Sequence, residues 1–362
     1  EKYLDFGGGI GVMSIGHANP RWVKAVSEQA AKLAHCSNLY LTKEQADLAE
    51  KVVSKIGAGK VYFCNSGTEA NEALIKARLY GIKASGKEGV KSRIITAKNG
   101  FHGRTLGALA ATAQDKIQRG FAPILEGFSY GEFNNIESFE KLMGDDVAAI
   151  LVEPVQGESG VTPASKQFLK GLKELCKKHG ALLFFDEVQC GVGRCGKFLA
   201  SQRIGVKPDG VSLAKGIGGG FPIGATWLAK PYADLFSPGS HGTTFGGNAL
   251  ACAAALATLK EIDSKKLIEN AFKLGEVLAK GLEKIAKKYP CKIKLTRGLG
   301  LMRAVLFQPE YPNSEVCAKL RKNKLILIPA GANALRFLPP LNTTATEVNS
   351  ALKIFDKTIG EL

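Results

Sequence analysis

Six short apolar runs recur between Val61 and Ala229: VYFCN from Val61, RIITAK from Arg93, VAAILVEPV from Val147, ALLFFDEV from Ala181, GVSLAK from Gly210 and IGATWLA from Ile223. Runs of that length, rich in β-branched and aromatic residues, read as strands buried on both faces, as in a parallel sheet. Stretches of helical periodicity separate several of them. Between Lys166 and His179, for example, Phe168, Leu169, Leu172, Leu175 and Cys176 form one apolar stripe and Gly180 supplies the stop. The alternation predicts an α/β fold, a mostly parallel central sheet flanked by helices. Past Asn248 the pattern changes to long helices rich in alanine and lysine, followed by the strand-like pieces LMRAVLF from Leu301 and ALRFLPPL from Ala334. These predict a smaller α+β domain. The expected division is an N-terminal segment, 1–37, associated with the small domain, a large domain, 38–247, and linking helices with the small domain, 248–362.

A chain of 362 residues, 45% of them hydrophobic, can bury two sizeable cores. No run of about 18 apolar residues is present to span a bilayer, and the start EKYLDFGGG has neither the basic nor the apolar region of a signal peptide. A cytoplasmic protein is expected, with no membrane partner. The eight cysteines show no CxxC pair and no histidine spacing suited to zinc, so reduced, mostly buried thiols and no metal are expected. The net charge of +16 permits anionic partners. Much of the excess lies in helical spacing, as at Lys280, Lys284, Lys287 and Lys288, without interleaved aromatics that would stack bases. It reads as a solvated face, not a nucleic-acid site.

In sheets of this type ligands gather beyond the carboxyl ends of the strands, where Asn65, Asp186 and Lys215 fall. The run NSGTEANE from Asn65 ends a strand and opens a helix. Its free N–H groups at Ser66, Gly67 and Thr68 suit a phosphate, though an ordinary helix cap has the same look. Asp186 closes a fully apolar strand, where a carboxylate must be paired or hydrogen-bonded. Lys215 sits where a buried strand opens into a glycine-rich turn. A free lysine titrates near pH ~10.4 and is a poor nucleophile at neutral pH, a handicap that burial or imine formation removes. Gly216, Gly218, Gly219 and Gly220 are expected to give room for a bulky ring. Each feature alone has a bland reading. Together they fit a pyridoxal cofactor, with Lys215 as its Schiff-base lysine and Asp186 keeping the pyridine nitrogen protonated.

The ordered set NSGTEANE, FHGRT, EPVQGE, DEVQCGVGR, LAKGIGGGFPIGA and HGTTFGGN closely resembles the class III pyridoxal-phosphate aminotransferases over nearly the whole chain, and most of all their acetylornithine group. The resemblance implies the fold type I architecture and pyridoxal 5'-phosphate as cofactor. It implies Lys215 as the lysine that shuttles a proton at the substrate carbon, Asp186 as the ring-nitrogen partner, and Gln189 as a donor near the phenolic oxygen. Ser66, Gly67 and Thr68 match the phosphate cradle, and Phe101 the aromatic stacked on the ring. Thr243 and Thr244 match a segment that reaches the phosphate of a neighbouring subunit, implying a homodimer with shared active sites. His102 and His241 read as structural.

For substrates, the resemblance implies the ω-amino group of N-acetylornithine moving to 2-oxoglutarate, with glutamate as product, in two half-reactions of arginine biosynthesis. Arg336 resembles the arginine that binds an α-carboxylate and Arg104 the one that meets the second carboxylate, a task for guanidinium forks. Glu153 and Glu158 match acidic residues lining the pocket. The counterpart of Glu158 pairs with that of Arg336 and gives way when a dicarboxylate enters. Ile10 stands where ornithine aminotransferases carry a tyrosine holding a free α-amino group, which suits an acetylated nitrogen. Enzymes acting on 4-aminobutyrate also accept an isoleucine near that place, so they stay open as an alternative, with ornithine and succinylornithine aminotransferases. A non-catalytic binding protein on the same fold is the alternative of another class. Family members carry further residues ahead of the position of Tyr3 that help cover the active site of the dimer.

Overall fold

The computed structural model describes all 362 residues. Seven strands form the large sheet: β1 Gly59–Cys64, β2 Arg93–Ala97, β3 Phe128–Gly131, β4 Val147–Val152, β5 Leu182–Asp186, β6 Gly210–Leu213 and β7 Gly224–Ala229, in the order β1-β7-β6-β5-β4-β2-β3. All six apolar runs are in it, and β4 and β5 are buried along their whole lengths. The pairs from β6 through β3 are parallel, whereas β7 is antiparallel to both β6 and β1. The reason lies in the connection. Only residues 214–223 separate β6 from β7, with a single 3-10 turn at Lys215–Ile217, too little chain for the helical crossover that parallel pairing needs.

The helix α2, Lys166–Lys178, follows its sequence pattern closely, since the buried residues are the five of the predicted stripe. Ser165 Oγ caps its start by accepting from the N–H of Phe168 at 3.0 Å. Gly180, at φ +59°, ends it while Ala181 N–H donates to the Cys176 carbonyl at 2.8 Å. Burying each such Leu or Phe is worth about 1.5–3 kcal/mol, so the stripe, and not helix propensity, holds this element on the sheet.

The second sheet has four antiparallel strands, β8 Ile293–Leu299, β9 Met302–Phe307, β10 Ile328–Ala330 and β11 Ala334–Phe337, in the order β8-β9-β11-β10. At the other end of the chain Leu4–Asp5 pairs in parallel with Leu325–Ile326. Two long helices, α3 Ala249–Ser264 and α4 Leu267–Lys288, join the sheets. One apolar cluster runs from Leu213 and Ala225 through Cys252 and Leu259 of α3 and Leu278 and Leu282 of α4 to Leu335 and Phe337, so the small sheet is joined to the large one through both helices. Lys280, Lys284, Lys287 and Lys288 are exposed on α4. The cysteines are free thiols, mostly buried, with Cys291 exposed. No helix is long and apolar enough to cross a membrane.

Candidate active site

Asp186 ends β5 and is hydrogen-bond registered with Ser212 of β6, so Lys215 follows it round the same sheet edge. A cavity of about 470 Å³ opens there. Asn65, Ser66, Gly67 and Thr68 line one part, Phe101 and Arg104 another, and Glu153, Glu158, Asp186, Gln189 and Lys215 complete it. No group of three His, Cys, Asp or Glu side chains is placed to hold a metal ion.

Lys215 takes φ +47°, the left-handed region that a lysine enters at a cost of about 1–3 kcal/mol. Its surroundings impose it: Ser14 Oγ donates to the Gly216 carbonyl at 2.7 Å and Trp22 Nε1 to the Gly218 carbonyl at 3.0 Å. Burial pulls the Lys215 ammonium below the usual lysine range, and the carboxylates of Glu158 and Asp186 only partly oppose that. An amine so placed deprotonates more readily, as nucleophilic and proton-transfer work requires. The glycine turn has a different role from the one expected. A Cβ on Gly218 would lie 2.1 Å from the Phe221 carbonyl oxygen, and one on Gly219 2.4 Å from Thr258 Oγ1. Those two are glycine because the turn closes on itself and on α3; of the four, only Gly220 lines the cavity.

Asp186 is 4% exposed and fully engaged on one side. Its Oδ2 accepts from Asn71 Nδ2 at 2.7 Å and from His102 Nδ1 at 2.8 Å, and its Oδ1 from the N–H of Val188 at 3.0 Å. Asn71 lies on α1, Gly67–Lys76, and its Oδ1 in turn accepts from Ser212 Oγ at 2.6 Å. This set fixes the position and orientation of the carboxylate. Burial opposes charge on the His102 ring, but Asp186 outweighs it and holds the ring pKa above its ordinary value. His102 Nε2 is buried without a partner. Sequence reasoning had His102 as structural and missed Asn71, Ser212 and Val188. The signal for Asn71 was a polar residue on the same helical face as Ala70, Ala73 and Leu74, all buried with it.

At the start of α1, Ser66 is the cap: its Oγ accepts from Glu69 N–H at 3.3 Å and donates to Glu69 Oε2 at 3.1 Å. Its hydroxyl is therefore committed to the helix. The anion-binding capacity rests on the N–H groups of Gly67 and Thr68, which a helix start leaves without helical acceptors, and on Thr68 Oγ1, 3.0 Å from Thr105 Oγ1. A Cβ on Gly67 would come within 2.7 Å of Val188 Cγ1, so only glycine fits between the cradle and the loop after β5.

Glu153 lines the cavity yet works on the backbone: Oε1 accepts from Phe101 N–H at 2.9 Å and Oε2 from Gly157 N–H at 3.1 Å. Burial pushes its carboxyl up to about 7, with the charge of Asp186 adding to the rise and His102 opposing it. Phe101 is thus held from behind, and Arg104, exposed at the mouth, has its guanidinium carbon 5.8 Å from the Phe101 ring centroid.

Arg336 comes from β11, is 2% exposed, and reaches Glu158, Nη1 to Oε1 at 2.6 Å and Nη2 to Oε2 at 3.4 Å. Burial disfavours charge on Glu158, but Arg336 more than compensates and holds its carboxyl below the usual range. Gln189 sits across this pair, accepting from Arg336 Nη1 at 3.3 Å and donating to Glu158 Oε1 at 3.4 Å. Arg336 lies behind Glu158 and Gln189 and does not itself line the cavity, and Ile10, Thr243 and Thr244 are not gathered into it. Ile10 is 43% exposed, and Val12 lines the cavity in its stead. Thr243 Oγ1 lies 3.3 Å from Asn65 Nδ2, behind the cradle, and with Thr244 and His241 it borders a separate surface cleft.

The donor set fits pyridoxal phosphate: an anion cradle at a helix start, an aromatic face, a buried carboxylate fixed by donors, and a buried lysine within one cavity. Such a site on a mostly parallel sheet defines a fold type I transferase. Residues 1–359 match the family model for class-III aminotransferases, and the chain belongs to that family. It is 45% identical over 364 residues to an acetylornithine aminotransferase from Caldanaerobacter subterraneus subsp. tengcongensis, covering 100% of this chain and 91% of the relative. It is 44% identical to one from Methanocaldococcus jannaschii, covering 100% and 90%. Among solved structures, an ornithine aminotransferase from Toxoplasma gondii ME49 superposes with a TM-score of 0.95 at 32% identity, covering 99% of this chain and 86% of that one. An acetylornithine aminotransferase from Elizabethkingia anophelis gives 0.87 at 35%, covering 99% and 89%.

Proposed function

We propose that this chain is an acetylornithine aminotransferase, moving the ω-amino group of N-acetylornithine to 2-oxoglutarate and releasing glutamate, as in arginine biosynthesis. The observation that carries the reading is the Arg336–Glu158 pair beside Lys215. Bound pyridoxal phosphate supplies a carbonyl that takes up the amino group and a ring that withdraws electrons from the substrate carbon. The remaining work falls to the chain. Lys215 Nζ carries the proton to and from the substrate carbon, and Asp186 holds the proton on the ring nitrogen. Gly67 and Thr68 hold the phosphate, and Phe101 covers the ring.

Arg336 binds the carboxylate nearest the reacting carbon of glutamate or 2-oxoglutarate, and Arg104 at the mouth meets the second. An ω-amine donor has no carboxylate beside its reacting carbon for Arg336 to take, and Glu158 stays paired with it. One pocket then serves two unlike substrates without leaving a buried guanidinium unpaired. An apolar side chain at Ile10 leaves no charged partner for a free α-amino group, consistent with an acetylated donor. Thr243 and Thr244 act in a homodimer, in which the exposed segment around Phe245, 58% exposed, would carry the threonines to the partner's phosphate.

The test is a panel of N-acetylornithine, N-succinylornithine, ornithine and 4-aminobutyrate with 2-oxoglutarate, compared by kcat/KM, because discrimination is a difference in transition-state binding. N-acetylornithine should lead. A clear lead for ornithine or 4-aminobutyrate would refute the assignment.

A further inference from the structure

Glu158 sits on a turn at residues 157–160 that belongs to the large domain but is tied to the small sheet. Three ties are made. The first is the Arg336 side chain, which pairs with Glu158 and donates from Nη1 to the Gly157 carbonyl at 3.4 Å. The second is Gly331 N–H donating to the Glu158 carbonyl at 2.9 Å. The third comes from Arg297 on β8, whose Nε donates to the Gly160 carbonyl at 2.7 Å and whose Nη2 donates to the Ser159 carbonyl at 3.2 Å.

Arg297 spends its charge on carbonyls alone. Burial is what lowers its pKa, with no carboxylate opposing it. The fit is close: Gly160 lies at φ +95°, and a Cβ there would be 2.9 Å from Arg297 Nη2. A half-buried guanidinium without an acid partner is costly to keep unless its hydrogen bonds matter.

When a dicarboxylate takes Arg336, the pairing in the first tie is lost, because the Glu158 side chain must leave. Besides the long Arg336 contact to Gly157, what then ties the turn to the small sheet is one neutral hydrogen bond from Gly331 and the two from Arg297, while on the other side Gly157 N–H still donates to Glu153. We propose that Arg297 is a positioning residue for the acceptor half-reaction, holding the 157–160 turn in register while Glu158 is away from Arg336. The inference rests on the reading of Glu158 and Arg336 given under the proposed function. With an ω-amine donor bound, the intact Arg336–Glu158 pair adds its own tie to that of Gly331, and loss of Arg297 is buffered.

The experiment uses Arg297→Met, Arg297→Lys, Glu158→Gln and the double variant Glu158→Gln/Arg297→Met in the cofactor-loaded enzyme. Two quantities are read: the kcat/KM of each half-reaction, and the Kd of glutarate, an unreactive dicarboxylate. Arg297→Met should raise the glutarate Kd and lower kcat/KM for 2-oxoglutarate by about tenfold, the worth of one charged hydrogen bond, and change kcat/KM for N-acetylornithine less than about twofold. Arg297→Lys, which keeps the charge and one donor, should fall between. In the Glu158→Gln background the buffering tie is already weakened, so adding Arg297→Met should now slow the donor half-reaction too. Equal loss in both half-reactions for Arg297→Met and Arg297→Lys, or no change in glutarate binding, overturns the role of Arg297 alone. If Glu158→Gln by itself leaves the donor-to-acceptor ratio unchanged, the Glu158 reading fails, and the proposal with it.

Discussion

Arg336 Nη1 and Glu158 Oε1 lie 2.6 Å apart, but the two side chains are unequally enclosed, 2% exposed for the arginine and 31% for the glutamate. The guanidinium is fixed by its strand and its carbonyl neighbours, so the carboxylate is the member with room to move. Arg336→Lys keeps the charge and loses the planar fork. We expect kcat/KM for 2-oxoglutarate to fall by roughly 10²-fold, about 2.7 kcal/mol, with a smaller effect on N-acetylornithine. Separate half-reaction kinetics check it; an equal loss for both substrates would place Arg336 in the scaffold.

Lys215→Ala removes the amine that a strained, well-anchored turn presents to the cavity. Turnover should drop by at least about 10³-fold, given what general acid–base catalysis alone contributes. The visible absorbance of the loaded protein should shift, while circular dichroism stays that of the folded chain. Retained turnover would remove Lys215 from the chemistry.

Asp186→Asn replaces an acceptor of three hydrogen bonds with a group that also donates, facing His102 and Asn71. We expect kcat to fall by roughly 10²- to 10³-fold, the scale of losing a preorganised charge. His102→Gln should lower kcat less and leave KM for both substrates nearly unchanged, because the histidine acts through Asp186. Steady-state kinetics of the two variants separate these outcomes.

Gly67→Ala puts a methyl group within 2.7 Å of Val188 Cγ1. Val188 or the start of α1 must shift, and the phosphate cradle with it. The Kd for pyridoxal phosphate, titrated into stripped protein, should rise about tenfold, one hydrogen bond to a charged group, and an unchanged Kd would show that the cradle lies elsewhere.

Glu153 titrates at about 7 in the folded protein against about 4.3 for a free glutamate. Across that window the folded state keeps a proton that the unfolded state releases, so this group lowers stability as pH rises from about 4 to about 7. Glu153→Gln should flatten the fall in thermal midpoint of the stripped protein between about pH 5 and 7. His102, raised by Asp186 and to a lesser degree by Glu153, contributes a slope of the same sign above about pH 6.5, which the variant reduces but does not remove.

The apolar runs made the central strands legible because burial on both faces writes itself into composition. β3 was not legible: its four residues, FSYG, form an edge strand only partly buried. Strand direction was hidden too, although the short span from Leu213 to Gly224 held the clue to β7. Within the site, Lys215, Asp186, Glu158 and Arg336 were readable as costly charges in apolar or glycine-rich settings. Asn71 and Ser212 were not, since a polar side chain in a helix or strand reads as solvated until its partner across the fold is known. Gln189 was placed by its neighbours in sequence, but its contacts are with Arg336 and Glu158, residues far from it in sequence, one of them on the smaller sheet.

The most direct measurement supplies the loaded enzyme with 2-oxoglutarate and N-acetylornithine carrying a heavy nitrogen isotope at the δ position, and follows the isotope by mass spectrometry. The account predicts labelled glutamate from the native protein and none from Lys215→Ala. Unlabelled glutamate, or label released as ammonia, would contradict it.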